Sequence, residues 1–227
     1  MVSLPHASRG GHTELVFISL EERCGVGLYD TYLAARLRAS GAELPETVAV
    51  VITERDLLGE DGYGTLADVL GWAFDFGAER VVVYVSVLDE EAAASLQSRL
   101  GALEAPREVA VRGPDDRERA DAPVQVSIGL GGKAEFAAAV RAVAEDVRAG
   151  EVDPDGIAEA DIERRLVFPT DPDLVLKTGA ERLSDFMIWQ SVYSELYFTD
   201  VNWQNFRRRD YLRALRDYQQ RQRRFGR

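Results

Sequence analysis

The sequence is short of the residues that build most catalytic and cross-linking centres. Cys24 is the single cysteine among 227 residues, which excludes an internal disulfide framework and any multi-cysteine zinc or iron–sulfur site. His6 and His12 are the only histidines, both near a start containing Gly and Ser, so no histidine-based catalytic centre is expected. Lysine is nearly missing too, with only Lys133 and Lys177. Eight prolines and 19 glycines are too few for a collagen-like or low-complexity chain. No apolar run approaches the ~20 residues needed to cross a bilayer, and no basic segment followed by an apolar core opens the chain. These absences imply a soluble, cytoplasmic protein, with at most peripheral contact to the inner face of a membrane.

What is present is enough for a sizeable core: 46% of the residues are hydrophobic, and the length fits one domain. Thirty-nine acids face 27 bases, a formal charge of −12. An acidic surface with Arg in place of Lys suits high salt, where hydrated carboxylates keep a protein dissolved; an Arg-favouring codon bias accounts for it equally well. Residues 207–227 hold nine Arg against Asp210 and Asp217, a net of +7, leaving −19 on the remainder. So acidic a body repels nucleic acid and anionic lipid, which makes the basic end a local anion contact.

Along the chain, residues 1–27 read as an arm, with a short strand expected at Leu15–Leu20. Tyr29, Tyr32, Leu33 and Leu37 share a helical stripe that Gly41 and Pro45 close. Val48–Ile52 is a β-branched run of the kind buried on both faces of a sheet. A helix through Leu66–Phe74, a strand at Val81–Val87, a helix carrying Leu96, Leu100 and Leu103, and strands at Val109–Val111 and Val124–Ile128 follow. Residues 112–122 have the composition of an exposed loop. Phe136, Val140, Val143 and Val147 stripe a helix that stops at Gly150; Leu174–Leu176 is a short strand, Ser184–Leu196 a helix and Asp210–Arg224 a basic one. Strands alternating with helices predict a single α/β domain with a mainly parallel central sheet flanked by helices. The domain is expected over 28–206, with 207–227 as a basic helix and tail.

Gly129-Leu130-Gly131-Gly132-Lys133 lies between a strand and a helix but lacks the spacing of a phosphate-binding fingerprint, so a tight turn is its simplest reading. The stretch from Asp173 to Phe186 is richer. It brings Lys177 and Thr178 to the carboxyl edge of the sheet, with Arg182 and Ser184 close behind. Ligands of open α/β sheets bind at that edge, and two cations with hydroxyls suit a diphosphate; a salt bridge to Glu181 beside a capping serine is the equal structural alternative. Glu195 lies among aromatic and aliphatic neighbours, so its charge needs a cation such as Arg182 or a metal ion.

Residues 173–206 resemble the C-terminal signature of the cis-prenyltransferases, the undecaprenyl diphosphate synthase family. The matching types are Lys177-Thr178-Gly179, Glu181, Arg182-Leu183-Ser184-Asp185-Phe186, Trp189-Gln190 and Glu195-Leu196-Tyr197-Phe198-Thr199-Asp200, continued by Trp203 and Phe206. Arg224-Phe225-Gly226 matches the family's terminal Arg-x-Gly, and Gly131-Gly132-Lys133 stands where the family has Gly-Gly-Arg. The resemblance implies that Lys177, Arg182 and Ser184 hold the diphosphate of isopentenyl diphosphate and that Glu195 helps bind magnesium. It also implies that Arg224 and Gly226 reach a partner subunit across a dimer interface.

The first half departs from that pattern. Family catalysts end their first strand in Met-Asp-Gly-Asn, and the aspartate carries magnesium; here the strand ends Ile52-Thr53-Glu54-Arg55-Asp56, with Thr53 at the aspartate's place. A neutral hydroxyl cannot supply the charge that holds a divalent cation against two diphosphates. Such a chain resembles the non-catalytic, Nogo-B receptor-type subunit of heteromeric cis-prenyltransferases. The function expected is therefore an auxiliary subunit of a cis-polyprenyl diphosphate synthase, with magnesium held by or shared with a catalytic partner. Two alternatives stand: a divergent, self-sufficient homodimeric enzyme using Glu195, Asp56 and Glu54 for magnesium, and a non-enzymatic scaffold that keeps the fold.

Overall fold

A computed structural model describes residues 27–87, 90–116, 118–119, 121–179 and 186–221. The strand expected at Leu15–Leu20, Arg182, Ser184, Arg224 and Gly226 lie outside the described residues.

The chain begins with helix α1 (Leu28–Ala39), strand β1 (Thr47–Thr53), the short helix α2 (Glu54–Leu58) and α3 (Gly62–Asp75). Next come β2 (Arg80–Ser86), α4 (Glu90–Gly101), β3 (Val109–Arg112), β4 (Val124–Ile128) and α5 (Gly132–Ala149). The series closes with α6 (Glu159–Glu163), β5 (Leu174–Thr178), β6 (Glu195–Thr199) and α7 (Arg208–Gln220). One six-stranded sheet runs in the order β3-β4-β2-β1-β5-β6. Every pairing in it is parallel. Only hydrophobic runs can fill strands covered on both sides, and Val48–Ile52 obeys, with each residue 3% exposed or less.

Strand alternation sorts side chains between two cores. Val48, Val50 and Ile52 join Leu66, Leu70, Leu96, Leu100 and the inner face of α7 in the larger core. Ala49, Val51, Tyr84 and Val175 meet Leu130, Phe168, Phe186 and Met187 on the opposite face. The C-terminal helix is no appendage: Tyr211, Leu212 and Leu215 are fully buried. Gly150 ends α5 at φ +77°, a left-handed cap that suits glycine.

Several expectations need correction. Over its described part, 186–196, the helix expected at Ser184–Leu196 is not found: from Phe186 the chain turns, makes one 3-10 turn at Gln190–Tyr193, and enters β6 at Glu195. Leu196 to Thr199 are strand-favouring types that pair with β5. The inward face of α5 is Gly132, Glu135, Ala139 and Val143, while Val140 is 42% exposed. Arg112, expected in an exposed loop, is the buried last residue of β3.

Candidate functional site

Chain order reverses across β1, with β2 on one side and β5 on the other. At such a switch point the crossovers leave in opposite directions and open a crevice beyond the carboxyl ends of the strands. The residues there are Thr53 of β1, Ser86 of β2 and Lys177–Thr178 of β5. Thr53 and Ser86 are register partners, and Lys177 pairs with Val51, two residues before Thr53. With a period of two, Val51, Thr53 and Lys177 share one face of the sheet. Thr178 belongs to the other face, so the strand delivers both residues to the edge without making them converge.

Lys177 is only 9% exposed and has no carboxylate within ion-pair distance among the described residues. A cation left so is an anion site in waiting, since a buried charge requires compensation. The Thr178 hydroxyl is buried with no hydrogen-bond partner among the described groups, a second unfilled valence at this edge.

Thr53 is fully committed to local structure. Its Oγ1 donates to Asp56 Oδ2 (2.8 Å) and accepts from the Asp56 N–H (3.3 Å), while its own N–H donates to Asp56 Oδ2 (2.8 Å). This reciprocal capping box starts α2 and turns the Asp56 carboxylate toward the backbone. Beyond α2 the chain is pinned from the C-terminal half: Trp203 Nε1 donates to Gly62 O (2.9 Å), and Trp203 stacks on Phe206 at 6.0 Å. A Cβ on Gly62 would meet Asp56 O at 2.2 Å, so only glycine fits that close approach.

Glu195 stands apart from this constellation. It is level with Leu174 at the start of β6, four residues and about 13 Å of strand before Thr199, which is level with Thr178. Among the described residues its carboxylate pairs with Arg221, at 3.2 Å. Arg221 also bonds the Leu196 carbonyl (2.8 Å) and Asp217 (2.7 Å), tying α7 to β6. Among the described residues no group of three or more His, Cys, Asp or Glu could hold a metal ion.

Sequence reasoning missed Glu135. In the first turn of α5 and 3% exposed, it accepts from the Val167 N–H (2.7 Å), the Phe168 N–H (3.1 Å) and Gln190 Nε2 (3.4 Å). Burial raises its carboxyl above the usual value, against the lowering effect of those hydrogen bonds and of Arg112. Beside it Phe136 stacks on Trp189 at 5.4 Å. The first turn of α5 thus grips the chain just after the stretch that carries Arg182 and Ser184. Its spacing to Ala139 and Val143 was the available signal.

Comparison with known proteins agrees with this geometry. The family model described as "Putative undecaprenyl diphosphate synthase" matches residues 104–226, more than half of the chain. A tritrans,polycis-undecaprenyl-diphosphate synthase (geranylgeranyl-diphosphate specific) of Methanopyrus kandleri is 36% identical over 203 residues, 73% of this chain and 74% of that protein. A short-chain Z-isoprenyl diphosphate synthase of Mycobacterium leprae is 34% identical over 247 aligned positions, 88% of this chain and 94% of that one. The Methanocaldococcus jannaschii counterpart of the first is 51% identical over 109 residues, 45% of this chain; the matched stretch spans only 39% of that relative's length. Among solved structures, lavandulyl diphosphate synthase from Lavandula x intermedia shares the fold at TM-score 0.64 and 22% identity, over 81% of this chain and 99% of that one.

Proposed function

The chain belongs to the undecaprenyl diphosphate synthase (cis-prenyltransferase) family, and from that premise we propose that it is the auxiliary subunit of a heteromeric cis-polyprenyl diphosphate synthase. One observation carries the reading: β1 ends in Thr53, whose hydroxyl and backbone are closed into a capping box with Asp56. The place where family catalysts present a magnesium-bearing aspartate is occupied by a helix start. The family model, moreover, matches only from residue 104 onward, beyond β1 and β2.

In this reading the chain binds and orients, and its partner performs the chemistry. The Lys177 ammonium supplies charge to a diphosphate at the β1/β5 switch point, with Arg182 and Ser184 as further donors. The segment after them is held by Glu135 and Phe136. Arg224 and Gly226 serve the partner's active site, where an allylic diphosphate is condensed with isopentenyl diphosphate. Magnesium is held there.

A second reading, a self-sufficient enzyme, is favoured by likeness to a synthase over 88% of the chain. It needs Glu195 and Asp56 as ligands to one ion. Against it stand the pairing of Glu195 with Arg221 at the other end of the sheet and the capping role of Asp56. The test is an elongation assay of the purified chain with isopentenyl diphosphate, an allylic diphosphate and magnesium. The expected result is turnover only after addition of a subunit with an intact aspartate motif; elongation by the chain alone overturns it.

A further inference from the structure

Positive charge is concentrated on two helices that pack together, α1 and α7. Helix α1 and residues 207–221 together hold eight Arg (36, 38, 207, 208, 209, 213, 216 and 221) against Asp30, Asp210 and Asp217. That is +5 within a chain of −12, which leaves −17 on the remainder. Asp30 and Asp210 are buried at 8% and 4% exposure, Asp210 paired with Arg213 at 3.1 Å, and Asp217 is bonded to Arg221. The solvent-facing charge of the α1/α7 pair is therefore almost purely cationic.

The same face exposes apolar and aromatic surface. Leu28 is 92% exposed, Tyr29 46% and Tyr32 56%. Their spacing, with Arg36 one turn on, sets them on one stripe of α1. The stripe is continuous with α7: the Arg213 guanidinium lies over the Tyr29 ring at 5.6 Å, and Arg36 donates to the Tyr32 hydroxyl at 3.3 Å. Between the helices lie two adjoining cavities that share Arg216. One, of about 190 Å³, has Leu33, Leu37 and Ala42 in its lining; the other, of about 320 Å³, includes Tyr29, Tyr197 and Arg213. Arg216 has no hydrogen-bond or ion-pair partner among the described residues.

We propose that this face docks on a membrane surface containing anionic lipid. Leu28, Tyr29 and Tyr32 enter the headgroup region, where amphipathic rings with a polar tip are most at home. Arg36, Arg213 and Arg216 meet lipid phosphates, and the apolar slot beside Arg216 takes methylenes from a lipid chain. Each basic residue near such a surface tightens binding about fivefold. The acidic remainder is repelled, which fixes the orientation. No helix among the described residues is long and apolar enough to cross a membrane, so the contact is peripheral. A second copy seated on this face by a twofold axis would set arginines against arginines, which like-charge repulsion disfavours. The inference is independent of whether this chain or a partner performs catalysis.

The test uses the full chain and sedimentation with vesicles of phosphatidylcholine alone or mixed with phosphatidylglycerol, at low salt. Binding to the mixed vesicles should be about tenfold tighter or more, and Arg36→Glu with Arg216→Glu should abolish the preference, as two reversed charges predict. Tyr32→Asp should weaken binding several-fold in a variant whose melting is unchanged. Equal binding to both vesicle types, or unaltered binding by the folded charge variants, overturns the proposal. So does a monomer–dimer equilibrium that Arg216→Glu shifts to monomer while vesicle binding is absent, since that assigns the face to a second copy.

Discussion

The two ends of the β1–β5–β6 strands carry opposite kinds of chemistry. At the amino end the polar groups close on one another: Asp173 accepts from the Glu46 and Thr47 N–H groups at 2.9 Å, and Glu195 pairs with an Arg221 that also holds Asp217 and the Leu196 carbonyl. At the carboxyl end Lys177 and the Thr178 hydroxyl are left open among the described residues, and the Asp56 carboxylate is spent on capping α2. The difference separates a mechanical joint from a ligand edge.

The comparison breaks most severely at Trp203, which is fully buried and bonds the chain just beyond β1. Trp203→Ala should cost about 3–5 kcal/mol in denaturant unfolding, whereas an exposed change such as Val140→Ala should cost little. The ligand edge is probed by Lys177→Ala. Losing one charge-assisted contact of about 1.5–3 kcal/mol should weaken isopentenyl diphosphate binding, read by calorimetry, roughly tenfold to a hundredfold. Glu195→Ala should leave that affinity within about twofold; a loss as large as that of Lys177→Ala would merge the two ends into one site.

A smaller effect tests the grip of α5. Because burial raises the Glu135 carboxyl above 4.5 in the folded chain, the folded state holds its proton to higher pH than the unfolded state does. Its contribution is therefore most favourable below about 4.5 and declines as pH rises through the folded value. The melting temperature of the parent relative to Glu135→Gln should fall across that interval. A flat or rising difference would show that the hydrogen bonds outweigh burial. Smallest of all, Arg221→Ala should destabilise by about 1 kcal/mol or less, since its ion pairs are partly exposed.

Much of this fold is legible in one sequence. The buried strands Val48–Ile52 and Val81–Val85 announce themselves as unbroken β-branched runs, and the inward face of α7 as Tyr211, Leu212, Leu215 and Tyr218. What hides is whatever depends on distant partners. The first two residues of β6, Glu195 and Leu196, read as the end of a helix until their pairing with β5 is known. Glu135 gives no sign of its role until its hydrogen bonds to residues more than 30 positions away are seen. At the site, delivery of Lys177 to the sheet edge was readable from local pattern. The pairing of Glu195 with Arg221, 26 residues on, was not.

The central claim is that β1 ends without a group able to hold the ion that family catalysts use. Calorimetric titration of isopentenyl diphosphate into the purified chain, with magnesium and again with a chelator, tests it most directly. The account predicts the same affinity in both, set by Lys177 and its neighbours. Binding that tightens about tenfold or more with magnesium, in the absence of any partner subunit, would contradict it.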